Sequence, residues 1–141
     1  MQLLLVTNAV AQVLFSCLFG WAMLVPMQPW GQRWRNILPV KAALAAHLDW
    51  IMLGLAQGLV AYASGLVEPR HPTLVTALLV FGGWVNPVPY LLRAKGTDAF
   101  VLAGGLRQRA AALLAGTSSL ALTIGFSLIL VDLVRKVASR G

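Results

Sequence analysis

Charge is what this sequence lacks most. Of its 141 residues, 11 are Lys or Arg and 4 are Asp or Glu, 11% in all, while 59% are hydrophobic. A soluble domain carries about 25% charged residues, and a small domain is mostly surface. This chain therefore has too little polar surface to dissolve, which excludes a cytosolic enzyme, a nucleic-acid module and a disordered tail. Cysteine is almost absent too: Cys17 stands alone, so an internal disulfide framework and a cysteine-based metal cluster are excluded. Histidine is limited to His47 and His71. There is no Ser/His/Asp set, no carboxylate pair within a span and no glycine-rich phosphate loop. What the sequence has in quantity is long apolar runs, with a mean hydropathy of +0.79. It reads as an integral membrane protein.

Crossing a bilayer as a helix takes about 20 apolar residues. Four runs qualify, 3–25, 42–67, 73–92 and 110–131. The expected fold is all-α, a single four-helix transmembrane domain over 1–141. No Lys or Arg precedes the first run, and its apolar stretch exceeds the roughly 7–15 residues of a signal-peptide core. It is read as a retained helix. The loops are short, and the first mixes Trp30, Trp34 and Ile37 with Arg33, Arg35 and Lys41. Such a mixture suits the headgroup layer, aromatics at the interface and basic groups near phosphates. Loops one and three carry seven basic residues and the opposite side four, which favours those loops inside and both termini outside. The net charge of +7 thus belongs to membrane flanks and not to a nucleic-acid surface. The expected location is a bacterial inner membrane, and the bilayer is the first partner.

Ionisable groups within a span cost about 2.5–3.5 kcal/mol at its centre, so each is a functional candidate. The second span holds His47, Asp49 and Gln57; the third ends in Gly-Gly-Trp-Val-Asn-Pro-Val-Pro-Tyr; the fourth has Thr117, Ser118, Ser119 and Thr123. At 1.5 Å per residue, His47 lies roughly 7 Å and Asn86 roughly 9 Å below the same boundary. Tyr90 is one turn shallower, and Thr117 and Ser118 approach from that side. The expectation is one polar site beneath a basic rim. Pro87 and Pro89 lack N–H groups, so the carbonyls of Gly83 and Val85 lose their helical partners. His47, Ile51, Gly54 and Gly58 share a face, and the GxxxG of that face admits a helix or a flat ligand.

Plainer readings stand beside these. His47 and the Thr117–Ser119 run can serve as interhelical hydrogen bonds, the GxxxG as packing, and Asn-Pro-Val-Pro as a kink. Asp49 lies about 200° round the helix from His47 and does not share its face. It reads as a neutral acid, a snorkelling group or an intersubunit partner. Cys17 is read as a buried small hydrophobe, and His71 as a solvated loop residue.

With one membrane His at that level, a haem bound within one protomer would be five-coordinate, because His71 lies on the far side. An open iron position binds a substrate or a gas, and ferric iron there is a Lewis acid. Arg33, Arg35 and Arg93 can pair with haem propionates by charge-assisted bonds.

Ala46-His47 followed by Gly54, then Gly83-Trp84-x-Asn86-x-x-x-Tyr90, resembles the styrene oxide isomerases; the leader Phe15-Ser-Cys-Leu-Phe-Gly20 is also similar to theirs. The resemblance covers most of the chain, and the Gly-Trp-x-Asn-x-x-x-Tyr element is its most specific part. It implies a small membrane protein that binds haem b, assembles as a trimer and converts aryl epoxides to aldehydes by a Meinwald rearrangement. It further implies His47 as the axial iron ligand, Tyr90 as the pocket tyrosine and Asn86 as a polar group of the same site. One position departs: where the family pattern has Asn directly before the Gly, this chain has Leu53. That departure, with the unexpected Asp49, leaves open a haem-binding subunit without isomerase activity. The glycine-rich spans leave open a structural subunit of a larger membrane complex.

Overall fold

A computed structural model describes the chain except residues 36, 38, 102, 103 and 141. Four candidate spans are present among the described residues, Gln2–Met27, Val40–Leu66, Pro72–Ala94 and Leu106–Ala138. Lipid offers no hydrogen bonds, so an apolar run must satisfy its backbone internally, and the helix does this within one segment. The protein is an all-α bundle of α1 (Gln2–Leu24), α2 (Val40–Leu66), α3 (Pro72–Val85), α4 (Val88–Ala94) and α5 (Leu106–Ala138).

The third span is two helices. Pro87 and Pro89 cannot donate to the turn before them, and α3 stops at Val85 before α4 resumes at Val88. The fourth span runs well past the apolar stretch 110–131. Its 33 residues reach about 50 Å against a hydrocarbon core of about 30 Å. Arg107 and Arg109 at one end, with Arg135 and Lys136 at the other, stay helical outside the apolar layer.

Small residues set the packing, as expected where helices associate by close contact. α1 lies along α2, and α3 along α5. In the second pair each helix offers a glycine to the other's leucine. A Cβ on Gly82 would come 2.5 Å from Leu122 Cγ, and one on Gly125 would come 2.8 Å from Leu79 Cδ2. The apolar core of Leu5, Val60, Val75, Leu79, Leu122 and Ile129 fills the half nearest loop two. There, half-exposed Arg135 and the backbone N–H of Arg70 both meet buried Asp132. The other half of the bundle is polar inside, and the candidate site lies there.

Loop one folds as two 3₁₀ turns, Val25–Met27 and Pro29–Trp34. Gly31 is buried against the Val25 carbonyl, where no Cβ would fit. Met27, Trp30, Trp34 and Ile37 face outward beside exposed Arg33 and Arg35, the amphipathic surface expected of an interfacial segment.

Candidate functional site

His47 faces α1. Its Nδ1 lies 2.8 Å from the Ser16 carbonyl and 2.9 Å from Ser16 Oγ. A carbonyl only accepts, so this network assigns the proton to Nδ1. The Ser16 hydroxyl donates to the His47 carbonyl at 2.7 Å. In the neutral ring this tautomer leaves the lone pair on Nε2. The ring lies against Gly20, where a Cβ would come 2.9 Å from Cε1.

Two turns deeper on the same face of α2 is Gly54, and a turn beyond it Gly58. A Cβ on Gly54 would come 2.9 Å from Val13 Cγ2 and 3.2 Å from the Ala9 carbonyl, so Gly54 lets α1 approach. Both glycines also line an open apolar groove of about 640 Å³ between α1 and α2, with Val6, Val10, Val13 and Cys17. Cys17 is thus exposed along the groove and not buried as the sequence suggested, because it projects from the flank of α1 that α2 leaves uncovered.

Asn86 belongs to a different group. Its amide donates to Asp49 Oδ2 at 2.9 Å, and its carbonyl oxygen accepts from Ser119 Oγ at 2.9 Å and from Ser118 Oγ at 3.4 Å. Asp49 is therefore the partner of Asn86 on the flank of α2 that faces away from His47. The polar residues expected at one site form two groups, because residues 47 and 49 point about 200° apart. Thr117 joins neither: it is exposed and bonds the Leu113 carbonyl of its own helix at 2.8 Å, as does Thr123 to Ser119 at 2.9 Å. Tyr90 packs on Phe100 of loop three with ring centroids 5.7 Å apart. Leu53 packs against the apolar core.

The basic rim is distributed. Arg35 Nε donates to the Pro26 carbonyl at 3.0 Å, Arg33 lies 5.5 Å from the Trp34 ring centre, and Arg93 stands 3.6 Å from Asp98. His71 is exposed in loop two. No family model matches the chain, and no curated protein and no solved structure matches it.

Between the two groups runs a buried network that sequence reading missed. Trp84 Nε1 donates to Asn8 Oδ1 at 2.8 Å, the Asn8 amide to Gln57 Oε1, and the Gln57 amide to Gln12 Oε1 at 2.8 Å. Gln12 then donates to the carbonyls of Gly83 at 2.9 Å and Trp50 at 3.1 Å. The Gly83 carbonyl is one of those freed by the prolines, and Gln12 supplies its replacement donor. The signal was available: Asn8, Gln12 and Ser16 recur every four residues in an apolar helix, which is a polar stripe on one face. Phe15, Phe19, Trp50 and Trp84 close around this network edge to face, with centroids 4.9 Å apart for Phe15 and Trp50.

The donor set at His47 suits a particular kind of ligand. Among the described residues no group of three His, Cys, Asp or Glu converges, so a metal at Nε2 must bring its remaining ligands with it. A histidine that donates Nδ1–H to a carbonyl and leaves Nε2 free is the usual arrangement of a metal-bound imidazole. An apolar groove in the size range of small-molecule sites lies two turns deeper along the same face of α2, at Gly54 and Gly58, and His47 itself does not line it. This donor set fits a haem iron held by His47 as its single protein ligand.

Proposed function

We propose that the protein is a haem b-dependent membrane isomerase that rearranges a lipophilic aryl epoxide to an aldehyde. The observation that carries this is His47, whose Nδ1 is spent on the Ser16 carbonyl and whose Nε2 is thereby left as the metal-binding nitrogen of the neutral ring. The resemblance of the His47, Gly83–Tyr90 and Phe15–Gly20 elements to the styrene oxide isomerases supports it. His47 would hold the iron, and Arg33, Arg35 and Arg93 are candidate partners for propionates, although Arg35 is bonded to the Pro26 carbonyl and Arg93 is paired with Asp98. Bound there, ferric haem supplies a Lewis acid for an oxygen atom.

The chain's own part is binding, orientation and dryness. In the reaction the benzylic C–O bond opens, a hydride moves to the carbon left electron-poor, and the oxygen becomes the aldehyde carbonyl. Atoms and electrons balance without an external reductant. Water at the opened carbon would give a diol, and a groove lined by Val6, Val10 and Val13 keeps water out. Tyr90, half-buried in the short helix after the proline break, is the aromatic hydroxyl available to orient the epoxide. A homotrimer, as the resemblance implies, would cover the groove with another copy.

The test is turnover of styrene oxide by haem-loaded protein in detergent, without reductant, with the aldehyde measured directly. Aldehyde should form, and Tyr90→Phe should keep haem while losing roughly 10²-fold in rate, the usual cost of one orienting donor. A second reading, a haem-binding subunit without isomerase activity, is favoured by Asn86 and Leu53. The Asn86 side chain is spent on Asp49 and Ser119, and Leu53 is turned into the core. Haem bound at His47 with no aldehyde would establish that reading instead.

A further inference from the structure

The imidazole of His47 is held by a helix other than its own. Ser16 is fully buried, and it makes three contacts with this one residue. Its carbonyl accepts from Nδ1 at 2.8 Å, its Oγ stands 2.9 Å from the same nitrogen, and its hydroxyl proton goes to the His47 carbonyl at 2.7 Å. The ring and its own backbone are therefore both tied by one residue, through its main-chain carbonyl and its hydroxyl.

Gly20 completes the arrangement. In a helix the side chain four residues on lies over the same face as the residue before it. Residue 20 accordingly occupies the approach to the Ser16 carbonyl. A Cβ there would stand 2.9 Å from His47 Cε1 and 3.5 Å from Nε2. Only glycine leaves the ring room to lie flat on α1 and reach the carbonyl.

We propose that Ser16 and Gly20 form a seat that makes His47 an Nε2 donor, with Ser16 acting as a positioning residue. The proposal rests on the haem reading of His47, and it says which residues of this chain select the nitrogen that faces a metal. A neutral imidazole has two tautomers, and the one that bears its proton on Nδ1 is favoured here by a carbonyl that can only accept. The Ser16 hydroxyl holds the ring in the orientation that uses this carbonyl. A residue that holds the far nitrogen of a metal-bound imidazole commonly matters roughly 10–100-fold for metal affinity, and the same is expected here.

The experiment uses the full chain in detergent with ¹⁵N-labelled histidine, without and then with added haem. His71→Gln assigns the ring signals of His47, since His71 is an exposed loop residue. The cofactor-free parent should show Nδ1 protonated and Nε2 bare. Ser16→Ala should mix the two tautomers and weaken haem retention by roughly 10–100-fold, and Ser16→Thr, which keeps the hydroxyl, should restore both. Gly20→Ala should shift the ring signals by displacing the imidazole. A parent with Nε2 protonated overturns the proposal, as does a folded Ser16→Ala with an unchanged tautomer and unchanged haem retention. The expected ring signals without haem uptake by any variant would defeat the cofactor reading while leaving the seat supported.

Discussion

Gly83→Ala should be among the most destabilising single-methyl additions in this protein. The added Cβ would run into the Gln57 amide and lie 2.8 Å from Gln12 Oε1, both fully buried. Neither amide can withdraw cheaply. Gln57 is held by Asn8 and Gln12, and Gln12 by the Gly83 carbonyl itself. Overpacking a filled interior costs about 1–3 kcal/mol, and breaking buried amide bonds adds about 1–3 kcal/mol more. The expected loss is about 2–6 kcal/mol, read as a fall in the thermal unfolding midpoint in detergent. Gln57→Ala removes the obstruction, so the double variant Gln57→Ala with Gly83→Ala should lose less than the sum of the two singles.

Gln12→Leu should follow closely, for a different reason. The leucine keeps most of the volume but cannot donate to the Gly83 carbonyl. That carbonyl has no helical partner, because residue 87 is proline. Bonds between helices in membranes average only about 0.6 kcal/mol where alternatives exist. A buried carbonyl left without any donor costs more, about 1–3 kcal/mol. The discriminating measurement is a double-variant cycle with Pro87→Ala, which returns an N–H to residue 87. Gln12→Leu should cost clearly less in that background than in the parent. Equal costs in both backgrounds would mean that the bond to the Gly83 carbonyl contributes nothing, and that Gln12 acts through its bonds to Gln57 and the Trp50 carbonyl and through packing.

The fold was legible because hydropathy and proline chemistry are local. Runs of 20 or more apolar residues marked the spans, and Pro87 with Pro89 marked the break between α3 and α4. The ends of α5 were not legible by that route, since Arg107 and Arg135 lie outside any apolar window and still continue the helix. The candidate site divides in the same way. Depth along a helix is a count of residues, and it put His47, Asn86 and Ser118 at one level. Direction around the helix depends on which neighbour covers each flank, and the sequence does not state that order. His47 therefore found Ser16 on α1, whereas Asn86 found Asp49 and Ser119. The loss of hydrogen bonding at Gly83 followed from Pro87 alone, but its replacement donor, Gln12, lies 71 positions away. Ser16 and Gln12 would have stood out from the spacing of Asn8, Gln12 and Ser16, a stripe that only the identity of the facing helix makes meaningful.

The bundle thus has an apolar half near loop two and a polar half near loops one and three. Gln12 and Gln57 occupy the middle and hold the broken third span in place. Beside them, α1 presents Ser16 and Gly20 to His47, and the groove along Gly54 and Gly58 begins on the same face. Everything proposed about function depends on that imidazole.

The most direct test is an ultraviolet–visible spectrum of protein purified from cells supplied with haem, recorded beside His47→Ala. The account predicts a Soret band in the parent that is lost or strongly shifted in the variant, with both proteins helical and monodisperse. A colourless parent, or a Soret band unaltered in His47→Ala, would contradict it.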